Sequence, residues 1–464
     1  MIDRTSEPAR HAPAGPAAVV ALVVGFLALT LGPVLGGIDH FPEKSIDMDR
    51  NHVPVVRTFA AEWPSPDLVE YDSATTPGMH LLMAAVVRFV GDSETMLQVL
   101  SVSFGLLLVL VACRFSSRVV PLAVAVACTL PLALSPYTIG NSIWVMTDNL
   151  SLALVAVTMG VAIFQRPTIA SSAVSGVALV AAVLVRQINV WPSAMALVAA
   201  AFGLEAVRRR VPFRDRLDDR VTAGPLAVLG CFVLLAFATL AAFVSAWGGL
   251  VPPPFQPGGE GAATHSGGLN PAVTPYVLAL VGVYAAPALL VLFPCWREDP
   301  AIRRWAVSGG LAGLVAALVL PSAPGLDLGR VGGWLWTLAA AGPVVLDRSL
   351  VIVVGASFGG LALGGLLGLG ARAGRLRAGW LLVGFGASFL AAYTANAQAF
   401  QRYFDPPVLL VLGWLLATCH GARTSGGLVS GARISAAGIA CGAMQLALAV
   451  LTIYLRIGRP PLEG

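Results

Sequence analysis

Apolar residues in this chain fall in long runs, and polar residues gather between them. The runs lie near 17–38, 95–113, 119–135, 143–164, 168–185, 188–206, 222–246, 273–295, 304–322, 350–370, 379–396, 405–419 and 434–456. A helix of roughly 20 apolar residues crosses the ~30 Å hydrocarbon layer of a bilayer. A transmembrane barrel would instead show short segments of alternating apolar and polar residues, and none are present. The pattern predicts an all-α, polytopic helical membrane protein with about 12–13 transmembrane helices in a single domain spanning 1–464. The polar stretch 1–16 and the apolar run after it lack a small-residue cleavage site, so the first span reads as a retained anchor.

One apolar stretch is set apart. "TTPGMHLLMAAVVRFVG", Thr75 to Gly91, is short, begins near a proline and carries His80 and Arg88. It reads as a helix lying in or dipping into the outer interface rather than crossing. Just before it, Val53, Val56, Phe59, Ala60 and Trp63 repeat at helical spacing, with Thr58 and Glu62 on the other side. That predicts a second interfacial helix. Residues 39–94 thus form an outer loop built from juxtamembrane helices. The span from 247 to 272, rich in Pro and Gly, reads as a flexible outer loop, either a plain connector or a lid over a substrate. A third outer region, about 321–349, holds Asp327, Arg330, Asp347 and Arg348 around an apolar stretch.

With these spans, the arginine clusters at Arg114/Arg118, Arg166, Arg208–Arg220, Arg297/Arg303/Arg304, Arg372/Arg375/Arg377 and Arg423/Arg433 fall on one side, with Arg4 and Arg10. Positive residues favour the cytoplasm, which orients the chain. If Thr75–Gly91 crossed, the later clusters would turn outward.

Composition agrees. The chain is 57% hydrophobic and 11% charged, against about 25% charged in soluble domains, with a mean hydropathy of +0.81. The net charge of +5 is carried almost wholly by arginine, Lys44 being the only lysine. No basic patch is interleaved with aromatics, so nucleic acid is excluded as a partner and membrane lipids are expected instead. The six cysteines sit inside apolar runs or at cytoplasmic ends, with neither a disulfide framework nor a metal-ligand spacing. No metal and no cofactor is expected.

Ionisable groups are costly near a bilayer and by default mark functional sites. Here they gather at the outer ends of spans. "IDMDRNH" places Asp47, Asp49 and His52 at the start of the first outer loop. "VMTDNL" places Asp148 about one turn into a span from outside, and "VRQINVW" puts Arg186, Gln187 and Asn189 in an outer hairpin. "AFQRYFDPP" puts Arg402, Tyr403 and Asp405 where another span begins; Arg402 can grip a ligand or pair with Asp405. A carboxylate beside a reacting hydroxyl can serve as general base. Arginine forks grip phosphate and stabilise charge on a departing phosphate. Together they suit sugar transfer from a lipid-phosphate carrier.

At these residues the chain resembles the C-type (GT-C) integral-membrane glycosyltransferases, most of all the dolichyl-phosphate-glucose α-1,2-glucosyltransferase family. "DMDRNHVP" resembles that family's acidic pair followed by a His-hydrophobic-Pro step. "ATTPGMHLL" resembles its Thr-Thr-Pro-(Pro)-Gly stretch, "TDN" its Thr-Asp within a span, "VRQINVW" its Arg-Gln-Thr-Asn followed by an aromatic, and "QRYF" echoes an Arg-His-Tyr motif. The motifs cover roughly the first 190 residues. Met48 splits the acidic pair, one proline is missing before Gly78, and Ile188 replaces a threonine. Counting back from His52, Asp49 aligns with the second acid, which leaves both Asp47 and Asp49 as candidates for the base.

The resemblance implies an inverting hexosyltransferase. It would move a sugar, glucose being one candidate, from a polyprenyl-phosphate-sugar donor to a lipid-linked glycan or other cell-envelope acceptor. Asp49 or Asp47 would deprotonate the acceptor, Arg402 and Arg186 would hold the phosphate, and His52, Gln187, Asn189, Asp148 and Tyr403 would bind substrate. The arginine-dominated composition points to a bacterial plasma membrane, with the active site on the extracytoplasmic face. The competing reading is a polytopic transporter or lipid flippase, which would show inverted repeats with interrupted midplane helices; no such symmetry is visible in the sequence.

Overall fold

The computed structural model describes residues 14–38, 46–202, 204, 222–256 and 268–454. Every predicted apolar run carries a helix. In chain order these are α1 (Ala14–Leu35), α2 (Val53–Ala61), α3 (Gly78–Phe89), α4 (Glu94–Ser116), α5 (Leu122–Ala133), α6 (Pro136–Ile143), α7 (Asp148–Phe164), α8 (Ile169–Val185) and α9 (Pro192–Ala201). There follow α10 (Ala223–Trp247), α11 (Val273–Arg297), α12 (Pro300–Val319), α13 (Trp334–Ala341), α14 (Leu350–Arg372), α15 (Leu376–Thr394), α16 (Gln401–Thr418) and α17 (Gly431–Ala449). The described strands are two antiparallel hairpins of two-residue strands. The protein is a polytopic helical membrane protein.

Eight of these helices are long and apolar enough to cross a bilayer, nine if α5 and α6 count as one bent span. This is fewer than the expected 12–13, and the shortfall has local causes. α7 and α8 have 17 residues each. The run predicted near 188–206 shortens to α9, ten residues, because a 3-10 turn at Gln187–Val190 uses its outer end. α16 carries Arg402 and Asp405 among its 18 residues. The run predicted to extend from 119 to 135 continues as a second helix, α6, bent from α5 by 72°. Pro136 cannot continue the α5 ladder, and Ser135 caps the new helix by accepting from the amides of Tyr137 and Thr138.

The arginines organise one end of the bundle. Arg375 donates to the carbonyls of Ala417, Thr418 and His420 at the end of α16 and to that of Val119 beyond α4. Arg377 reaches the carbonyls of Ile163 and Ala199 near the ends of α7 and α9. Arg372 pairs with Asp299, which also caps α12. Cations suit helix C-termini, where carbonyls lack partners. Arginines of the clusters read from the sequence therefore tie these helix ends together.

Small residues bring the helices close. α14 lies against both α11 and α12, and its glycines face backbone on either side. A Cβ at Gly359 would sit 1.8 Å from the carbonyl oxygen of Leu278 on α11, and one at Gly360 2.1 Å from that of Gly309 on α12. Without a hydrophobic drive between helices in lipid, such close approach supplies much of the packing.

Candidate functional site

The opposite end of the bundle carries the polar residues. Between α1 and α2 a single π-helical turn, Met48–His52, buries Met48 and His52 and leaves Asp49 exposed. The "TTPG" step docks onto the end of α8. Thr76 donates its hydroxyl to the Val183 carbonyl at 2.7 Å, and its amide to Gln187 Oε1 at 3.1 Å. At Gly78 a Cβ would lie 2.6 Å from the Leu184 carbonyl oxygen, so only glycine lets α3 start there. Gln187 then donates to the carbonyls of Ala74 (2.7 Å) and Leu250 (3.1 Å). One amide thus joins the first outer loop, the hairpin after α8 and the segment after α10.

These elements enclose a cavity of about 600 Å³. Among the residues proposed from sequence, Asp47, His52, Asp148, Arg186, Gln187, Arg402 and Tyr403 line it. Asn189 lines a smaller adjoining cavity of about 30 Å³, where its amide donates to Ser151 Oγ (2.6 Å) and the Ala182 carbonyl (3.1 Å). Asp49 lines neither. Also on the wall are Tyr393, Asn396 and Gln256, which the motifs did not bring forward. Tyr393, in the last turn of α15, and Asn396, just after it, stand shortly ahead of "QRYF", and that position was the available signal. The flexible outer loop expected at 247–272, read as either a plain connector or a lid, lies partly outside the described residues; Gly248–Val251, Phe255 and Gln256 are seen on the cavity wall.

Two ion pairs cross the cavity floor. Arg402 donates to Asp47, and Arg186 to Asp148. The Arg186–Asp148 side chains are only 13% and 14% exposed. Burial pushes the Arg186 pKa down, yet Asp148, with Tyr393 and Tyr403, holds it above its ordinary value, so the guanidinium stays charged. Tyr403 lies between the pairs. The guanidinium carbons of Arg186 and Arg402 stand 4.9 Å and 5.0 Å from its ring centroid, and Arg402 also donates to its hydroxyl at 3.0 Å. Arg402 Nε is buried with no hydrogen-bond partner, a spare donor beside the cavity. Asp405 stands apart from this floor: it accepts from Ser135 Oγ at 2.6 Å, from Tyr284 and from Gln401 Nε2 at 3.4 Å, fastening α16 to the α5–α6 bend and to α11.

His52 lines the same cavity as the pairs. Burial lowers its pKa to about 4, against opposition from Asp47 and Asp148, so it is neutral near pH 7. Among the described residues no three His, Cys, Asp or Glu side chains come together in a way that could hold a metal ion.

The arrangement can bind an anion with two guanidinium forks while holding carboxylates within reach of a hydroxyl. Fold and site together define an integral-membrane helical protein with a charged cavity at the end opposite its arginine-rich one. No protein-family model matches the chain, and no curated protein matches its sequence. Among solved structures it is similar to a crystal structure of ArnT from Cupriavidus metallidurans bound to undecaprenyl phosphate, with 15% identity and a TM-score of 0.39 over 93% of this chain and 78% of that one. The apo form of the same protein matches with 14% identity and a TM-score of 0.37 over the same shares.

Proposed function

We propose that this chain is an inverting C-type membrane glycosyltransferase that moves a hexose from a polyprenyl-phosphate donor to an extracytoplasmic acceptor. The observation that carries this reading is convergence: Asp47, Asp148, Arg186 and Arg402, from four distant stretches of chain, line one cavity. Asp47 is the proposed base, because it lines the cavity whereas Asp49 does not.

Within the cavity each of the two arginines pairs with a carboxylate. The donor's phosphodiester carries one negative charge spread over two oxygens, so it can engage both guanidinium forks at once, and its charge rises toward two as the sugar leaves. Arg402 then turns from Asp47 to the phosphate, and its buried Nε gains an acceptor. The Asp47 oxygen that Arg402 leaves, Oδ2, accepts the proton of the acceptor hydroxyl. That oxygen attacks the anomeric carbon from the face opposite the phosphate, forming the new C–O bond. The bond from carbon to phosphate oxygen breaks, and its electron pair stays on the phosphate, whose growing charge Arg402 and Arg186 stabilise. The acceptor is a lipid-linked glycan or another envelope polymer, and glucose is the first sugar to try.

The test is transfer by purified, reconstituted protein with a panel of radiolabelled polyprenyl-phosphate sugars and lipid-linked acceptors. Asp47→Asn should lower turnover by about a hundredfold or more, the range of a lost general base. Asp49→Asn should stay within about threefold of wild type, as expected of an exposed residue. Normal turnover in Asp47→Asn removes the base assignment. No transfer with any donor, together with proton-coupled solute uptake into proteoliposomes, replaces the enzyme with a transporter.

A further inference from the structure

Behind the cavity wall two imidazoles meet. His52 lines the cavity; His80, on α3, is wholly buried behind it. His52 Nδ1 and His80 Nε2 lie 3.0 Å apart, with the rings tilted by 30°. At that distance one proton is shared: two would clash, and none would oppose two lone pairs. The far nitrogen of His80, Nδ1, is buried with no partner. The rings of Phe59 and Tyr71 flank His80, each with its centroid 6.4 Å away. The Tyr71 hydroxyl is committed to the Thr75 carbonyl at 2.6 Å.

Burial disfavours the charged form of both rings, and for His80 the neighbouring His52 adds to the effect, so each carries a single proton. Two arrangements remain. If His52 Nδ1–H donates, the proton of His80 must sit on Nδ1, as a buried N–H with no acceptor. If His80 Nε2–H donates, His80 Nδ1 is a bare lone pair and the proton of His52 sits on Nε2, on the side away from His80. Orphaned buried N–H groups are rarer in proteins than under-satisfied acceptors. The second arrangement is therefore the stable one.

We propose that His80 is a positioning residue that fixes His52 as its Nε2–H tautomer, so that His52 presents a hydrogen-bond donor to the cavity that the two arginine–aspartate pairs line. The two carboxylates there only accept. A fixed N–H beside two guanidinium forks completes a cradle for an anionic oxygen, of the kind a phosphate ester carries. The choice of phosphate as ligand rests on the glycosyltransferase reading; the tautomer does not.

The experiment is ¹⁵N NMR of protein labelled at histidine and held in lipid nanodiscs. The chain has six histidines, and His52→Gln and His80→Gln assign the two signals. Wild-type His52 should show a protonated Nε2 and a bare, hydrogen-bonded Nδ1. A proton on His52 Nδ1 overturns the proposal. His80→Leu should release His52 into a mixture of tautomers, whereas His80→Gln, whose amide nitrogen reaches the place of Nε2, should keep it fixed. Farnesyl phosphate then reads the consequence: affinity should fall about three- to tenfold in His80→Leu and stay within about twofold in His80→Gln, the scale of one weakened hydrogen bond to a charged group. Equal affinities in the two variants remove the positioning role. Once the signals are assigned, the wild-type spectrum decides the tautomer even if His80→Leu fails to fold. A fixed Nε2–H tautomer in a protein that transfers no sugar leaves this inference standing and the proposed function overturned.

Discussion

At the scale of single residues, the floor of the cavity depends on Tyr403 as much as on the charges around it. Its ring faces both guanidinium groups, and a cation over an aromatic face gains about 0.5–2 kcal/mol. Tyr403→Phe keeps the ring and loses only the hydroxyl that accepts from Arg402. Tyr403→Leu loses the face for Arg186 and Arg402 together. In a transfer assay the Phe variant should raise KM by about threefold, and the Leu variant by about ten- to thirtyfold, as two cation–π contacts of about 0.7–1 kcal/mol each imply. If Phe is as poor as Leu, the hydroxyl and not the ring is what matters. These residues were legible in the sequence as polar groups at span ends, but their partners were not. Asp47 and Asp49 are two apart, and at roughly 100° per helical residue they point to nearly opposite sides. The motif contains both and cannot say which faces inward; the turn at Met48–His52 does. Arg402 had a ready local partner in Asp405, one turn along α16. It pairs instead with Asp47, 355 residues away in the chain, a contact no local pattern encodes.

At the scale of elements, helix existence followed from the apolar runs, since length and continuity are what a bilayer demands. The bend between α5 and α6 was less legible. The predicted run ends at 135 and the next begins at 143; α6 forms between them because Ser135 caps a helix that starts at Pro136. The packing of α14 depends on a feature that hydropathy does not weigh, namely which glycines face backbone. Gly359 has the Leu278 carbonyl where a Cβ would go, whereas Gly386 on α15 has nothing within 4 Å. Gly359→Ala should therefore cost about 1–3 kcal/mol as overpacking. Gly386→Ala should be neutral or gain about 0.5–1 kcal/mol, because alanine loses less backbone entropy in a helix. Thermal unfolding in detergent, followed by loss of the monodisperse peak, should place Gly359→Ala several degrees below wild type and Gly386→Ala at or above it. Equal midpoints would mean that α11 and α14 can separate without penalty.

At the scale of the whole molecule, the two ends of the bundle differ in chemistry. One holds arginines bonded to helix C-terminal carbonyls, and the other holds the cavity. Each positive charge moved against a membrane potential costs about 2.3 kcal/mol per 100 mV, and short loops rich in arginine stay on the cytoplasmic side. The hairpin Arg423–Leu428 belongs to the arginine end, and the turn after α2 to the cavity end. Ser425 and Ser65 are exposed in these two places. Five of the six native cysteines are buried, and Cys231 lies on the apolar helix α10, where a charged reagent does not follow; Cys231→Ser removes it as a reporter. In that background Ser65→Cys should react with a membrane-impermeant maleimide in right-side-out vesicles. Ser425→Cys should react only in inside-out ones. The reverse labelling would put the cavity in the cytoplasm, where a lipid carrier presents its sugar before it is flipped, and the acceptor would then have to be sought among cytoplasmic lipid intermediates rather than in the envelope.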